Sequence, residues 1–175
     1  MLRRLIRAAG AAALVLQSLA AWDASAAPVR WSGNGHLYEV RYDRAGLSWP
    51  QAELRAYGLG CGWYLATITS AAENAFVFGL VGRRADIFVG VEGPWLGAFQ
   101  KNDRAEPAGN WRWVTEEAFR YTRWSPRQPD DVQDDELFLN YRRDGAWNDA
   151  LASLQAKGFV VEFDAGRQAA CRRRG

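Results

Sequence analysis

The run Gln128-Pro129-Asp130-Asp131-Val132-Gln133-Asp134-Asp135-Glu136, followed after ten intervening residues by Trp147-Asn148-Asp149, is the most informative stretch of this 175-residue chain. Five of its side chains, Gln128, Asp130, Glu136, Asn148 and Asp149, offer carbonyl or carboxylate oxygens, the atoms that a hard cation such as Ca²⁺ prefers. Three are carboxylates and supply charge. The two amides each place an oxygen on an ion and keep N–H donors for other partners. Neighbouring hydroxyls of a sugar can then lie on the ion while exchanging hydrogen bonds with the same ligands. A cis bond between Gln128 and Pro129 would let both flanking side chains point the same way. On its own, the acidic run reads as a solvated loop. Read together with Gln128 and Trp147-Asn148-Asp149, it supplies a candidate set of oxygen ligands.

Working outward, Asp144-Gly145 signals a turn between a strand over residues 137–141 and the Trp147 triplet. Further strands are predicted at 36–42, 87–91, 111–113 and 159–163. Ser48 and Gln51 form a capping box with Pro50 in the first turn, opening a helix that Gly58 and Gly60 end. Ser70 and Glu73 form a second box. It opens a helix whose Phe76, Val77, Leu80 and Val81 make one apolar stripe, closed by Gly82. The Gly-, Pro- and Asn-rich stretch after Val91, through Asn110, is read as loop. Runs of strands with two early helices give an α+β domain, and the ligand set falls on one loop and one adjacent strand.

These residues, in this order, resemble the C-type lectin-like domain, in a compact secreted form of bacterial style. That family binds Ca²⁺ through Glu-Pro-Asn or Gln-Pro-Asp, a downstream Glu, and Trp-Asn-Asp. The resemblance extends through Gly35-His36-Leu37-Tyr38, Trp49…Ala52, Leu65-Ala66-Thr67-Ile68-Thr69-Ser70, Glu73-Asn74 and Phe76-Val77. It continues in Phe88-Val89-Gly90-Val91, matched to the core strand often written Trp-Ile-Gly-Leu, in Gly109-Asn110-Trp111-Arg112-Trp113, in Tyr121…Trp124, and in Gly158 to Phe163. It implies a C-type lectin-like fold over residues 27–166, with two helices packed on small antiparallel sheets and a long irregular loop region. It implies a Ca²⁺ ion and a carbohydrate on the same five residues, and a binding protein without catalytic residues. Gln-Pro-Asp accompanies galactose or N-acetylgalactosamine in the family, although Val132 stands where galactose binders place a stacking Trp. Trp147 is expected as a core anchor. Asp131 matches a position that serves a second ion in some members, but Arg104 and Ala108 stand where its partner acids are needed. A calcium-independent protein-interaction domain on the same fold is the alternative function.

The N-terminus reads as an export signal over residues 1–26: Arg3, Arg4 and Arg7, then an apolar run from Ala8 to Ala21, then Ala24-Ser25-Ala26. The apolar run is shorter than the roughly 20 residues a spanning helix needs, so no membrane span is expected after cleavage and the product is secreted or periplasmic. The whole chain has 22 basic and 20 acidic residues, and residues 27–175 keep 19 of each. That balance gives no footprint for nucleic acid. In an oxidising compartment Cys61 and Cys171 are expected to pair. Typical members have two disulfides. Here Ala56 and Val161 stand at one family pair, and Phe138 replaces half of another. The single His, His36, excludes a His-rich zinc site and leaves a catalytic triad without a nucleophile motif. A carboxylate glycosidase is the weakest alternative. Residues 167–175, ending in Arg172-Arg173-Arg174, are read as a solvated tail. An oligomer is compatible with all of this.

Overall fold

The hub of the sheet is its last strand, β8 (Ala156–Phe163), almost every residue of which is buried. The computed structural model describes residues 27–101 and 107–173; the expected signal at 1–26, Arg104 and residues 174–175 lie outside them. β8 pairs antiparallel with β2 (Leu37–Leu47) and β3 (Trp63–Leu65), and parallel with β4 (Glu92–Gln100) through Trp95 opposite Phe159. Beyond β2 lies β1 (Val29–Arg30). On the other side β4 carries β5 (Trp111–Trp113) and β6 (Phe138–Arg142), and β7 (Trp147–Ala150) forms the edge. Three helices complete the described fold: α1 (Trp49–Tyr57), α2 (Ala71–Val81) and α3 (Ala165–Arg172). The class is α+β as expected. The sheet is one connected mixed sheet rather than separate antiparallel ones, because β4 runs parallel to β8.

The predicted strand at 87–91 and the loop after it need correction. Ala85–Ile87 is a short 3-10 turn, 88–91 is a turn, and the central strand is β4, inside the supposed loop. A strand buried on both faces does not alternate, and Gly93, Pro94 and Gly97 look like breakers. Pro94 is tolerated because it lies in the register shift between Glu92 and Trp95. Gly97 is required by a close crossing: a Cβ there would stand 2.2 Å from the Leu65 carbonyl oxygen. Trp95-Leu96-Gly97-Ala98 therefore carries the aromatic-apolar-Gly-apolar strand pattern assigned from sequence to Phe88–Val91. Two indoles lock it in place: Trp95 Nε1 donates to the Leu47 carbonyl at 2.9 Å, and Trp49 Nε1 to that of Leu96 at 2.7 Å.

Both helix starts are where their caps predict. The Ser48 N–H donates to Gln51 Oε1 at 2.9 Å, and the Glu73 N–H donates to Ser70 Oγ at 3.2 Å. The Glu73 carboxylate, however, reaches past Ser70 to the N–H and hydroxyl of Thr69, at 2.6 and 2.8 Å. It is buried, and the Tyr38 hydroxyl joins it to Glu162 of β8. The stripe of α2 thus has a polar edge, Glu73 and Asn74, facing inward beside Val77 and Val81.

One core gathers Tyr38, Ile68, Val77, Leu96, Trp113, Tyr141 and Trp147; a second gathers Leu47, Trp49, Leu65, Trp95 and Phe159. Ala56 and Val161 are fully buried in the second. Phe138 stacks on Trp49 with ring centroids 4.7 Å apart. Apolar packing stands at both places where the family pattern has cystine, and burying a Phe side chain is itself worth roughly 1.5–3 kcal/mol.

The C-terminus also differs from expectation. A boundary at residue 166 cuts α3, whose N-cap Asp164 accepts the Gly166 N–H at 2.7 Å. Residues 167–172 are helix rather than free tail. α3 buries none of its residues. It is held by the Cys61–Cys171 disulfide, with Cα atoms 5.9 Å apart, and by Arg167, which donates to the Thr115 carbonyl at 2.6 Å.

His36, read as a plain polar residue at a strand start, is half of an ion pair. Its Nδ1 lies 2.6 Å from Glu162 Oε1 and its Nε2 3.6 Å from Asp164. The hydrogen bond to Glu162 raises the imidazole above its ordinary value of 6.5, against the opposing effect of burial. A raised folded-state value stabilises fully below 6.5, and that contribution fades as pH rises through the folded-state value. Differential scanning calorimetry between about pH 6 and pH 8 should show wild type losing melting temperature with rising pH more steeply than His36→Gln. Parallel slopes would mean the pair contributes nothing that titrates.

Candidate functional site

The triplet Trp147-Asn148-Asp149 is β7, and it is buried throughout. Its register sets Asn148 opposite Asn140 and Asp149 opposite Leu139. Trp147 anchors it from the core side. The indole Nε1 donates to Asn74 Oδ1 at 2.9 Å, the Tyr141 hydroxyl donates to the same oxygen at 3.0 Å, and Asn74 Nδ2 donates to the Gly145 carbonyl at 3.2 Å. Trp113, Tyr121 and Trp124 meet the Trp147 ring edge-on. Trp147 is a core anchor with no exposed surface.

The acidic loop is tied to this strand by its own backbone. The Gln128–Pro129 bond is cis. Asp149 Oδ2 accepts the N–H groups of Asp130 and Asp131, at 3.0 and 2.8 Å. Glu136 Oε2 accepts the Val132 N–H at 2.9 Å, and Asp131 Oδ1 accepts the Glu136 N–H at 3.0 Å. Asp131, buried and with a left-handed φ of +45°, therefore shapes the turn. Carboxylate oxygens of Asp130, Glu136 and Asp149 come within 4.8 Å of one another. Burial first, then the nearby charges of Asp149 and Asp130, push Glu136 up to about 7. Burial raises Asp149 as well, against the N–H groups that it accepts.

This arrangement suits a cation. Asp149 Oδ1 and Gln128 Oε1 are buried without a hydrogen-bond partner, and an orphaned buried acceptor costs about 1–3 kcal/mol. A divalent ion would take up such oxygens and offset the repulsion among the three carboxylates. Asn148 differs from the other predicted ligands. Its Oδ1 accepts from Arg142 Nη1 at 3.1 Å, and its Nδ2 donates to the Asp149 carbonyl.

Arg142, Asn140 and Glu92 were not anticipated. Glu92 Oε2 accepts from Asn140 Nδ2 at 2.8 Å, Glu92 Oε1 lies 3.8 Å from Arg142, and Asn140 Oδ1 is buried without a partner. The alternation Leu139-Asn140-Tyr141-Arg142 signals two polar residues on one strand face. Nothing in the sequence connects them to Glu92. Val132, at the stacking position, is half exposed.

No family profile matches the chain. The crystal structure of the C-type lectin CEL-I from Cucumaria echinata superposes with a TM-score of 0.62 at 27% identity, covering 78% of this chain and 96% of that one. An α-N-acetylgalactosamine-specific lectin from Patiria pectinifera is 33% identical over 138 residues, 74% of this chain and 75% of that protein. The chain belongs to the C-type lectin family. Human C-type lectin domain family 4 member D is 30% identical over 113 residues, 62% of this chain, and the chain spans about half of that relative's length, 46%. For this C-type lectin domain the glycosidase alternative falls away, since these relatives are lectins by name. Among the described residues no helix is long and apolar enough to cross a membrane.

Proposed function

We propose that this C-type lectin domain is an exported, calcium-dependent carbohydrate-binding module, with Ca²⁺ held by Gln128, Asp130, Glu136, Asn148 and Asp149. The observation that carries this is the convergence of three carboxylates within 4.8 Å, together with buried oxygens of Asp149 and Gln128 that have no hydrogen-bond partner. When bound, the ion supplies charge neutralisation and open positions for two neighbouring hydroxyls of a hexose. The chain's own groups do the orienting. Asp149 holds the loop through the amides of residues 130 and 131, the amide nitrogens of Gln128 and Asn148 donate to sugar oxygens, and Asp130 and Glu136 accept hydroxyl protons. The order amide-Pro-acid favours galactose or N-acetylgalactosamine, in line with the name of the Patiria pectinifera relative. With Val132 in place of a stacking ring, a single site should be weak, near ~1 mM or about −4 kcal/mol, and useful avidity would come from an oligomer or a multivalent glycan.

A glycan array run with Ca²⁺ and with chelator tests this. Binding to galactose-type glycans should vanish in chelator. Exchanging the pair, Gln128→Glu with Asp130→Asn, keeps the charge of the site and should move preference toward mannose while calcium is retained. Glycan binding that survives chelation would sink the proposal. A protein partner bound equally well in chelator would favour the calcium-independent interaction domain.

A further inference from the structure

We infer that Arg142 competes with the cation for Asn148 and so sets how tightly this domain holds calcium; the inference rests on the calcium site proposed above. The β6–β7 register places Asn140 opposite Asn148, and Arg142 stands two residues further along β6, opposite Glu92 of β4. Arg142 Nη1 donates to Asn148 Oδ1 at 3.1 Å, while Asn148 Nδ2 donates to the Asp149 carbonyl. These two bonds decide which way the amide points. Turned over, it would set its NH₂ against a guanidinium that only donates, and would lose both bonds.

The oxygen that a calcium ion needs from Asn148 therefore already serves a full positive charge. A carbonyl oxygen has two lone pairs, so an ion can still bind it, but only by sharing it with a cation. The Arg142 side chain is 28% exposed and that of Glu92 23%, so solvent screens this repulsion less than it would at an open surface. Glu92 gives Arg142 a second place to go. Their present distance of 3.8 Å is longer than a hydrogen bond, and Glu92 is meanwhile engaged by Asn140 at 2.8 Å. Arg142 is thus a positioning residue: it orients Asn148 and weakens the ion's hold. Its removal should improve calcium binding, an effect that structural damage does not produce.

The test is calorimetric titration of Ca²⁺ into the folded domain, with circular dichroism as the check on folding. Arg142→Met should tighten the calcium Kd by about three- to tenfold, the size expected for removing one half-buried charged donor from a shared acceptor. Arg142→Gln, neutral and shorter, should gain in the same direction and serves if the Met variant does not fold. Arg142→Lys keeps the charge and should stay near wild type. In an Asn148→Ala background, most of the gain from Arg142→Met should disappear. If wild type binds calcium and neither neutral variant tightens it, the inference is overturned and the calcium site stands. If wild type takes up no calcium at millimolar concentrations, the calcium site itself fails and the inference falls with it.

Discussion

Asp149→Ala is expected to abolish calcium binding and sugar binding together. Asp149 has two separable duties. Its Oδ1 is a buried oxygen without a protein partner, and its Oδ2 accepts the N–H groups of Asp130 and Asp131. Alanine removes one of the three carboxylates that converge there. It also orphans two loop amides, at about 1–3 kcal/mol for each group left buried. The loop would lose both its charge balance and its shape. Asp149→Asn separates the duties, because it keeps the size of the side chain and loses the charge. It should retain most of the thermal stability and still fail to bind calcium at concentrations that saturate wild type. Titration calorimetry reads the calcium, and retention on immobilised galactose reads the sugar. Wild-type sugar retention by Asp149→Ala would rule out this site as the place where sugar binds.

The second large effect concerns the disulfide. Cys61→Ser with Cys171→Ser should lower the melting temperature substantially and release α3. The bridge spans 110 residues. In the chain-entropy view, closing a loop of that size contributes up to ~4–5 kcal/mol, often less in practice. The local consequence is sharper. α3 has eight residues and buries none of them, and isolated helices shorter than about 12 residues are marginal in water. Without the bridge it keeps its cap at Asp164, the Arg167 contact to Thr115 and the Arg167 guanidinium over the Tyr64 ring, 5.4 Å from its centroid. Hydrogen exchange should show α3 losing protection while β8, the strand before it, keeps its own. A double variant with wild-type melting and a protected α3 would show that the helix is held by something other than the bridge.

Both predictions concern parts of the chain that were unequally legible. The candidate ligands from Gln128 to Asp149 are proposed from side-chain type and short spacing, and the fold brings the carboxylates of Asp130, Glu136 and Asp149 within 4.8 Å of one another; the two helix starts are readable because capping is settled within four residues. Core strand β4 was misplaced. Its Gly93, Pro94 and Gly97 are breakers by local rules, and what permits them is a register shift and a contact with the Leu65 carbonyl from another strand. The C-terminal residues looked like a tail because Arg172-Arg173-Arg174 is solvated chemistry. Their helix depends on a cap at Asp164 and a disulfide to a cysteine 110 residues away.

By itself, then, the sequence determined the α+β class, the family resemblance and the candidate oxygen ligands, since each rests on residue identity and local spacing. Only the tertiary structure decided which oxygens lack partners, that Glu162 meets His36 across 126 residues, and that Arg142, with Glu92 of another strand beside it, donates to Asn148. These are properties of register and burial. A one-residue slip in a strand turns every side chain to the other face, so such contacts exist only once the whole sheet has settled which strands are neighbours.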